Sequence, residues 1–246
     1  MRADSLVLVP TLNETGNIDT LLSALLVEGV TDVLVIDDGS TDGTEERLEA
    51  WQLRFPERLT VLERGRRMGI GTAYTTGFKH ALRQGYARVV QMDADLSHDP
   101  YTVPLLLAAL DDADIAVGSR YVPGGQTERW SFRRVVVSWL AGVISRTLTG
   151  VPVRDLTSGF RAFRREALER INPERLRSTD FSIQVETSVR AHQLGLRVRE
   201  VPIVFRDRRA GVSKMDSRVL LEWGRTVWRM RRHPSFKRRS RAATHL

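Results

Sequence analysis

Short apolar runs alternate with segments of helical period through the first half of the chain. The runs are residues 6–9, 33–36, 59–62, 89–92 and 115–117, each bounded by turn-forming or charged positions, and they read as buried strands. Between them, residues 17–27, 44–53, 71–83 and 103–110 repeat their apolar positions with the spacing of amphipathic helices. This rhythm predicts an α/β fold, a mostly parallel sheet with helices on both faces. Beyond Val117 the texture changes. A flexible Pro123-Gly124-Gly125 precedes a helix over 131–148, and a polar turn from Asp155 leads into a short strand near Phe163. A helix carrying Gln184 and Glu186 and a strand over 198–205 follow.

In sheets of this kind ligands bind off the carboxyl ends of the strands. Three strand exits then fall on one rim: Pro10-Thr11-Leu12-Asn13-Glu14, Asp37-Asp38-Gly39-Ser40, and Asp93-Ala94-Asp95-Leu96-Ser97-His98. In extended geometry Asp93 and Asp95 point to the same side, and such a pair repels unless a cation or solvent lies between the charges. A hard divalent ion, held by one or two carboxylates and by the phosphates of a substrate, would give the pair a task. Each stretch alone is also an ordinary turn with capping side chains. Together, on one edge, they point to a shared ligand. Arg120 closes the fifth strand as a fixed cation, and Arg134 and Ser138, four residues apart, share a helix face. Gly69-Ile70-Gly71 lacks the third glycine of a dinucleotide cradle, although a helix start close to a phosphate stays open.

Composition narrows the choice. With 246 residues the chain can bury a core without staples, and the absence of cysteine removes disulfides, thiolate metal sites and a cysteine nucleophile. Only Met1–Asp4 precede the first strand, too little for a secretory signal, and the longest uncharged apolar run, 135–145, is well short of the roughly 20 residues that span a bilayer. A soluble or peripheral chain in a reducing, cytoplasmic setting is expected. The net charge is +8, yet residues 223–246 carry eight basic and no acidic residues, which leaves the rest neutral. On a helical wheel of residues 218–232, Val219, Leu220, Trp223, Val227, Trp228 and Met230 oppose Arg218, Glu222, Arg225, Arg229 and Arg232, with Arg231 breaking the pattern. A basic amphipathic helix with tryptophans suits an anionic membrane surface. The chain is therefore divided into a catalytic domain over 1–214 and a docking helix and tail over 215–246. A nucleic-acid-binding module is the alternative from another class, but aromatics are not interleaved with the tail cations and no helix-turn-helix or zinc pattern occurs.

Between Leu6 and Lys214 the chain resembles the family-2 inverting glycosyltransferases, and within them the dolichol- or polyprenol-phosphate mannose synthases. The three strand exits carry the likeness, with Gly118-Ser119-Arg120-Tyr121, Asp155-Leu156-Thr157-Ser158-Gly159-Phe160-Arg161, Gln184-x-Glu186, and Asp207-Arg208 through Ser213-Lys214. The resemblance implies a glycosyltransferase A-type, Rossmann-like fold. It implies metal-dependent transfer of mannose from GDP-mannose to a polyprenyl phosphate, with the same fold using a UDP-sugar as the alternative. Pro10, Leu12, Glu14, Ile36 and Asp38 would hold the nucleoside. Asp93 and Asp95, with Ser97 helping, would bind Mg²⁺ or Mn²⁺ on the diphosphate, next to Ala94. Arg120, Arg208 and Lys214 would contact the donor's phosphates and sugar, while Arg134 and Ser138 would meet the lipid phosphate. Asp95, Arg120 and Asp155 are the expected catalytic residues, Asp155 as a sugar- or acceptor-side carboxylate or as a turn cap. Leu12 stands where many relatives have tyrosine or phenylalanine. The cytoplasmic membrane face is the expected location, and a separate membrane subunit is a further candidate partner.

Overall fold

A computed structural model describes residues 3–29, 31–128 and 132–206, without the side chains of residues 132–137 and 141. The C-terminal amphipathic helix, Arg208, Lys214 and the side chain of Arg134 lie outside the described residues.

The strands are β1 (Ser5–Thr11), β2 (Asp32–Asp37), β3 (Leu59–Glu63), β4 (Arg88–Gln91), β5 (Ile115–Ser119), β6 (Gln126–Glu128), β7 (Arg161–Arg164), β8 (Val198–Pro202) and β9 (Val204–Arg206). The helices are α1 (Ile18–Leu22), α2 (Thr44–Arg54), α3 (Ile70–Gln84), α4 (Val103–Ala109), α5 (Phe132–Thr149), α6 (Arg165–Ile171) and α7 (Ile183–Gln193), and α1 runs on as a π-helical turn through Ser23–Val27. Seven strands form one sheet in the order β3-β2-β1-β4-β7-β5-β8. Every pairing is parallel except those of β7, which runs antiparallel to both β4 and β5. Because β7 is reversed, the loop that enters it, Asp155–Phe160, meets the rim where the parallel strands end.

Period-two alternation divides the core between the two faces of the sheet. Leu6 and Leu8 of β1 and Leu34 and Ile36 of β2 pack with Tyr74 and Phe78 of α3, Leu168 of α6 and Val185 of α7. Val7, Val9, Val33 and Val35 point the other way, onto Leu21 and Leu22 of α1, Leu48 of α2 and Leu106 of α4. Helices thus cover both faces, as the alternation predicts, and each buried Leu or Val contributes about 1.5–3 kcal/mol.

Two features depart from the expectation. The strand foreseen over 198–205 is divided at Ile203 into β8 and β9. The Ile203 amide still donates to the Ser119 carbonyl of β5, its carbonyl accepts from the Gln126 amide, and β9 then pairs with β6 in a separate two-stranded sheet. The short β6 and the charge-rich α6 are additions. At the amino end of α3 the Gly71 amide donates to the Thr179 carbonyl (3.0 Å), and a Cβ at Gly69 or Gly71 would overlap the backbone carbonyls of Ser178–Thr179. These glycines serve close backbone approach.

Candidate active site at the carboxyl rim of the sheet

Strand β4 ends in the central feature. Asp93 is half-buried and Asp95 buried, and the Ser97 amide donates to Asp95 Oδ1 (3.0 Å), closing a turn in which Leu96 takes φ +59°. A left-handed leucine costs about 1–2 kcal/mol, and such outliers occur where surrounding structure holds a functional loop. Asp93 is fixed from two sides. Its Oδ1 accepts from the Tyr74 hydroxyl (3.0 Å), and its amide donates to His98 Nδ1 (3.1 Å). With Nδ1 accepting, the imidazole proton sits on Nε2. Burial lowers the His98 pKa against the pull of Asp93 and Asp95, so the ring is neutral, stacked on Phe160 (4.9 Å) and edge-on to Phe205 (5.4 Å).

The second group lies at the ends of β5 and β7. Arg120 donates through Nε and Nη2 to the two oxygens of Asp155, both at 2.7 Å, and through Nη2 to Thr157 Oγ1 (2.7 Å). The Arg120 amide adds a third bond to Asp155 (3.0 Å). Burial pushes the Asp155 carboxyl up, but the guanidinium prevails and holds it below the usual carboxylate range. Asp155 is fully buried, with both oxygens taken by Arg120. Asp155 is thus paired with Arg120, whose guanidinium lies 5.3 Å from the ring centroids of both Tyr121 and Phe205.

The loop carrying Asp155 is itself held from below. Glu200 of β8 accepts from the amides of Arg154 (2.9 Å) and Asp155 (3.0 Å). Arg161, 1% exposed, donates to the carbonyls of Leu156, Ser158 and Gln184 and to the hydroxyls of Thr187 and Ser188. Burial without a carboxylate among these partners lowers its pKa to about 10. Gln91 donates to Gly159 O (2.9 Å) and Gln184 Oε1 (2.6 Å), tying the base of the Asp93 turn to this loop. Glu186 accepts from the amides of Arg177 and Ser178 and so supports the segment against α3.

Toward β2 and β1 the rim is a web of turn bonds. Asp37 accepts from the amides of Gly39 and Ser40 and from the Ser40 hydroxyl. The Asp38 carboxylate is held by Arg64 and by the Met68 amide (3.0 Å). Asn13, at φ +58°, receives a bond from Thr41 N and donates its own amide to Ser40 Oγ (2.9 Å). Pro10, Leu12 and Glu14 are half-buried beside this web, whereas the Ile36 side chain is fully buried in the core and can meet a ligand only through its main chain. Ala94 and Ser97 are buried within the β4 turn. Ser138 of α5 is bonded to the Tyr121 hydroxyl (2.9 Å), so the predicted lipid-phosphate serine joins the strand exit that carries Arg120.

Tyr74, Arg64, Thr157, Arg161, His98 and Glu200 were not singled out as site residues. Tyr74 looks like one more apolar-face residue of its helix. His98, Thr157 and Arg161 stand within the motifs quoted above, and Arg161 carries a further signal, since a charge in a sheet interior requires dedicated partners.

Residues 6–171 match the family model described as glycosyl transferase family 2. The chain is 43% identical over 220 residues to the polyprenol monophosphomannose synthase of Mycolicibacterium smegmatis, covering 89% of this chain and 83% of that protein. It is 38% identical over 218 residues to the undecaprenyl-phosphate mannosyltransferase of Micrococcus luteus, covering 88% and 89%. In fold it is similar to a mannosyltransferase from Pyrobaculum calidifontis solved in complex with GDP-Man and Mn²⁺, with a TM-score of 0.57, 23% identity, and 94% of this chain and 61% of that one covered. No described helix is long and apolar enough to cross a membrane. The sheet with its reversed β7, the carboxylate pair after β4 and the match over two thirds of its length make this chain a glycosyltransferase, a member of glycosyl transferase family 2.

Proposed function

We propose that this enzyme transfers mannose from GDP-mannose to the phosphate of a polyprenyl lipid, inverting the anomeric centre. The observation that carries the proposal is the meeting, on one rim, of the Asp93/Asp95 turn and the Arg120–Asp155 pair, joined through Tyr121 to Ser138 on α5. The mannosyl-transferring relatives of similar length support the sugar and the lipid acceptor.

The donor set suits a hard cation. Asp93 and Asp95 offer carboxylate oxygens, with the Ser97 hydroxyl in the same turn, and among the described residues no cluster of three or more His, Asp or Glu could enclose a metal alone. An ion held there would need phosphate oxygens to complete its shell, as Mg²⁺ and Mn²⁺ do on a nucleotide diphosphate. When bound, such an ion neutralises the charge that grows on the departing diphosphate. Arg120 contributes fixed positive charge at the same rim, oriented by Asp155 and Thr157 before substrate arrives. A phosphate monoester acceptor is already ionised near pH 7, so the site has to orient it rather than deprotonate it. Arg134, Ser138, Arg208 and Lys214 are assigned to the acceptor phosphate and the donor as the sequence suggests. A screen of GDP-mannose, UDP-glucose and UDP-N-acetylglucosamine with Mn²⁺ and a short polyprenyl phosphate tests the proposal. Labelled lipid from GDP-mannose alone is expected; transfer only from a UDP-sugar overturns the donor.

We also assign this enzyme to a membrane surface, where its acceptor resides. Helix α5 buries Ser138 near the rim but exposes Trp139, Leu140 and Ile144 at 49%, 43% and 45%. An aromatic and two aliphatic side chains beside a buried serine fit a helix lying against lipid at the headgroup level. Replacing Trp139 and Ile144 together by serine is expected to weaken co-sedimentation with anionic vesicles about tenfold, the loss of roughly 1.4 kcal/mol. Unchanged binding would remove α5 from the docking surface.

A further inference from the structure

Tyr74 has no role in the chemistry set out above, and its place in the core does not by itself require a tyrosine. It lies on α3, fully buried, its ring 6.4 Å from Phe78, which packs edge-on to Phe163 (5.3 Å). A phenylalanine would fill that volume. The hydroxyl alone is different: it reaches out of the apolar cluster and donates to Asp93 Oδ1 at 3.0 Å. The terminal torsion of an aspartate is broad, so a carboxylate without such a bond samples many orientations. Gly159 lies against the same carboxylate, where a Cβ would come within 3.6 Å of both oxygens, and His98 Nδ1 is 4.0 Å from Oδ2. The Asp93 side chain therefore sits in a slot whose floor is the Tyr74 hydroxyl.

Given that Asp93 binds the donor diphosphate through a divalent cation, we infer that Tyr74 is a positioning residue: its hydroxyl fixes the plane of the Asp93 carboxylate and so sets the affinity of the rim for the metal. Groups that orient a metal-binding carboxylate from behind affect affinity about 10–100-fold when lost. A tyrosine suits this task, because the ring is anchored in the core of one sheet face and only the hydroxyl protrudes.

The test is Tyr74→Phe in the full chain. Mn²⁺ binding is read by electron paramagnetic resonance of free Mn²⁺ at saturating GDP, with no sugar or lipid present. Affinity is expected to fall about tenfold. In turnover, the Mn²⁺ concentration giving half the maximal rate should rise about tenfold while kcat at saturating Mn²⁺ stays within twofold. Site-specific 3-fluorotyrosine at position 74, which keeps the ring and hydroxyl, should bind Mn²⁺ as the wild type does. Wild-type affinity in Tyr74→Phe overturns the inference, as does loss of affinity with fluorotyrosine. A Tyr74→Phe protein that unfolds before metal is added marks the residue as structural and overturns it too. If the wild type binds no Mn²⁺ with GDP, the proposed metal chemistry fails as well; if the wild type binds and the variant matches it, only the role of Tyr74 fails.

Discussion

Asp155→Asn is expected to lower stability by about 3–5 kcal/mol, because it leaves Arg120 buried without its anionic partner. The magnitude follows from the geometry: three hydrogen bonds run from Arg120 to this carboxylate, all in a fully buried setting. Activity should fall about a hundredfold or more, since a guanidinium freed from its partner no longer meets the donor in one orientation. Thermal unfolding and initial rates check both parts. The paired variant Arg120→Met with Asp155→Leu separates them. Removing both charges should recover most of the stability, while the activity remains lost because no cation is left at the end of β5. Acid should act on the same pair. The Asp155 carboxyl is held below its unfolded value, so its contribution is complete above an unfolded pKa of about 3.9 and is lost as pH falls through the lower folded value.

Asp95→Asn and Asp93→Asn should each reduce turnover about a thousandfold at ordinary metal concentrations. Their effects on stability should be small, since each asparagine keeps an oxygen for the bond it accepts, from Ser97 N at position 95 and from the Tyr74 hydroxyl at position 93. The two should differ in detail. Asp95 is the more buried of the pair and closes the Leu96 turn, so its loss should not be relieved by excess metal. Asp93 is the more exposed, and part of its loss should be recovered at high Mn²⁺. Rates measured over a range of Mn²⁺ concentrations distinguish these outcomes.

Much of this architecture is written in the chain. Alternating valines and leucines in β1 and β2 specify strands buried on both faces, and the acidic exits after β1, β2 and β4 mark the rim because parallel strands all end there. Strand order is less legible. Nothing in Arg161-Ala162-Phe163-Arg164 announces that it inserts antiparallel between β4 and β5, yet that reversal brings Asp155 to Arg120. Asp155 was legible only as far as its charge: turn cap and sugar contact look alike in sequence, and its pairing with an arginine 35 positions away is not visible there. Tyr74 and Arg64 were hidden for the same reason. Each is an ordinary residue of its element, and each gains its role only where two distant elements meet.

Calorimetric titration of GDP into the protein in the presence of Mn²⁺, compared with the Asp93→Asn/Asp95→Asn double variant, tests most directly whether the carboxylates after β4 hold the donor diphosphate. Wild-type binding should depend on Mn²⁺, vanish with chelator and be at least a hundredfold weaker in the double variant, whose metal-free thermal midpoint stays close to that of the wild type. Equal GDP affinity in the two proteins, with or without Mn²⁺, would contradict it.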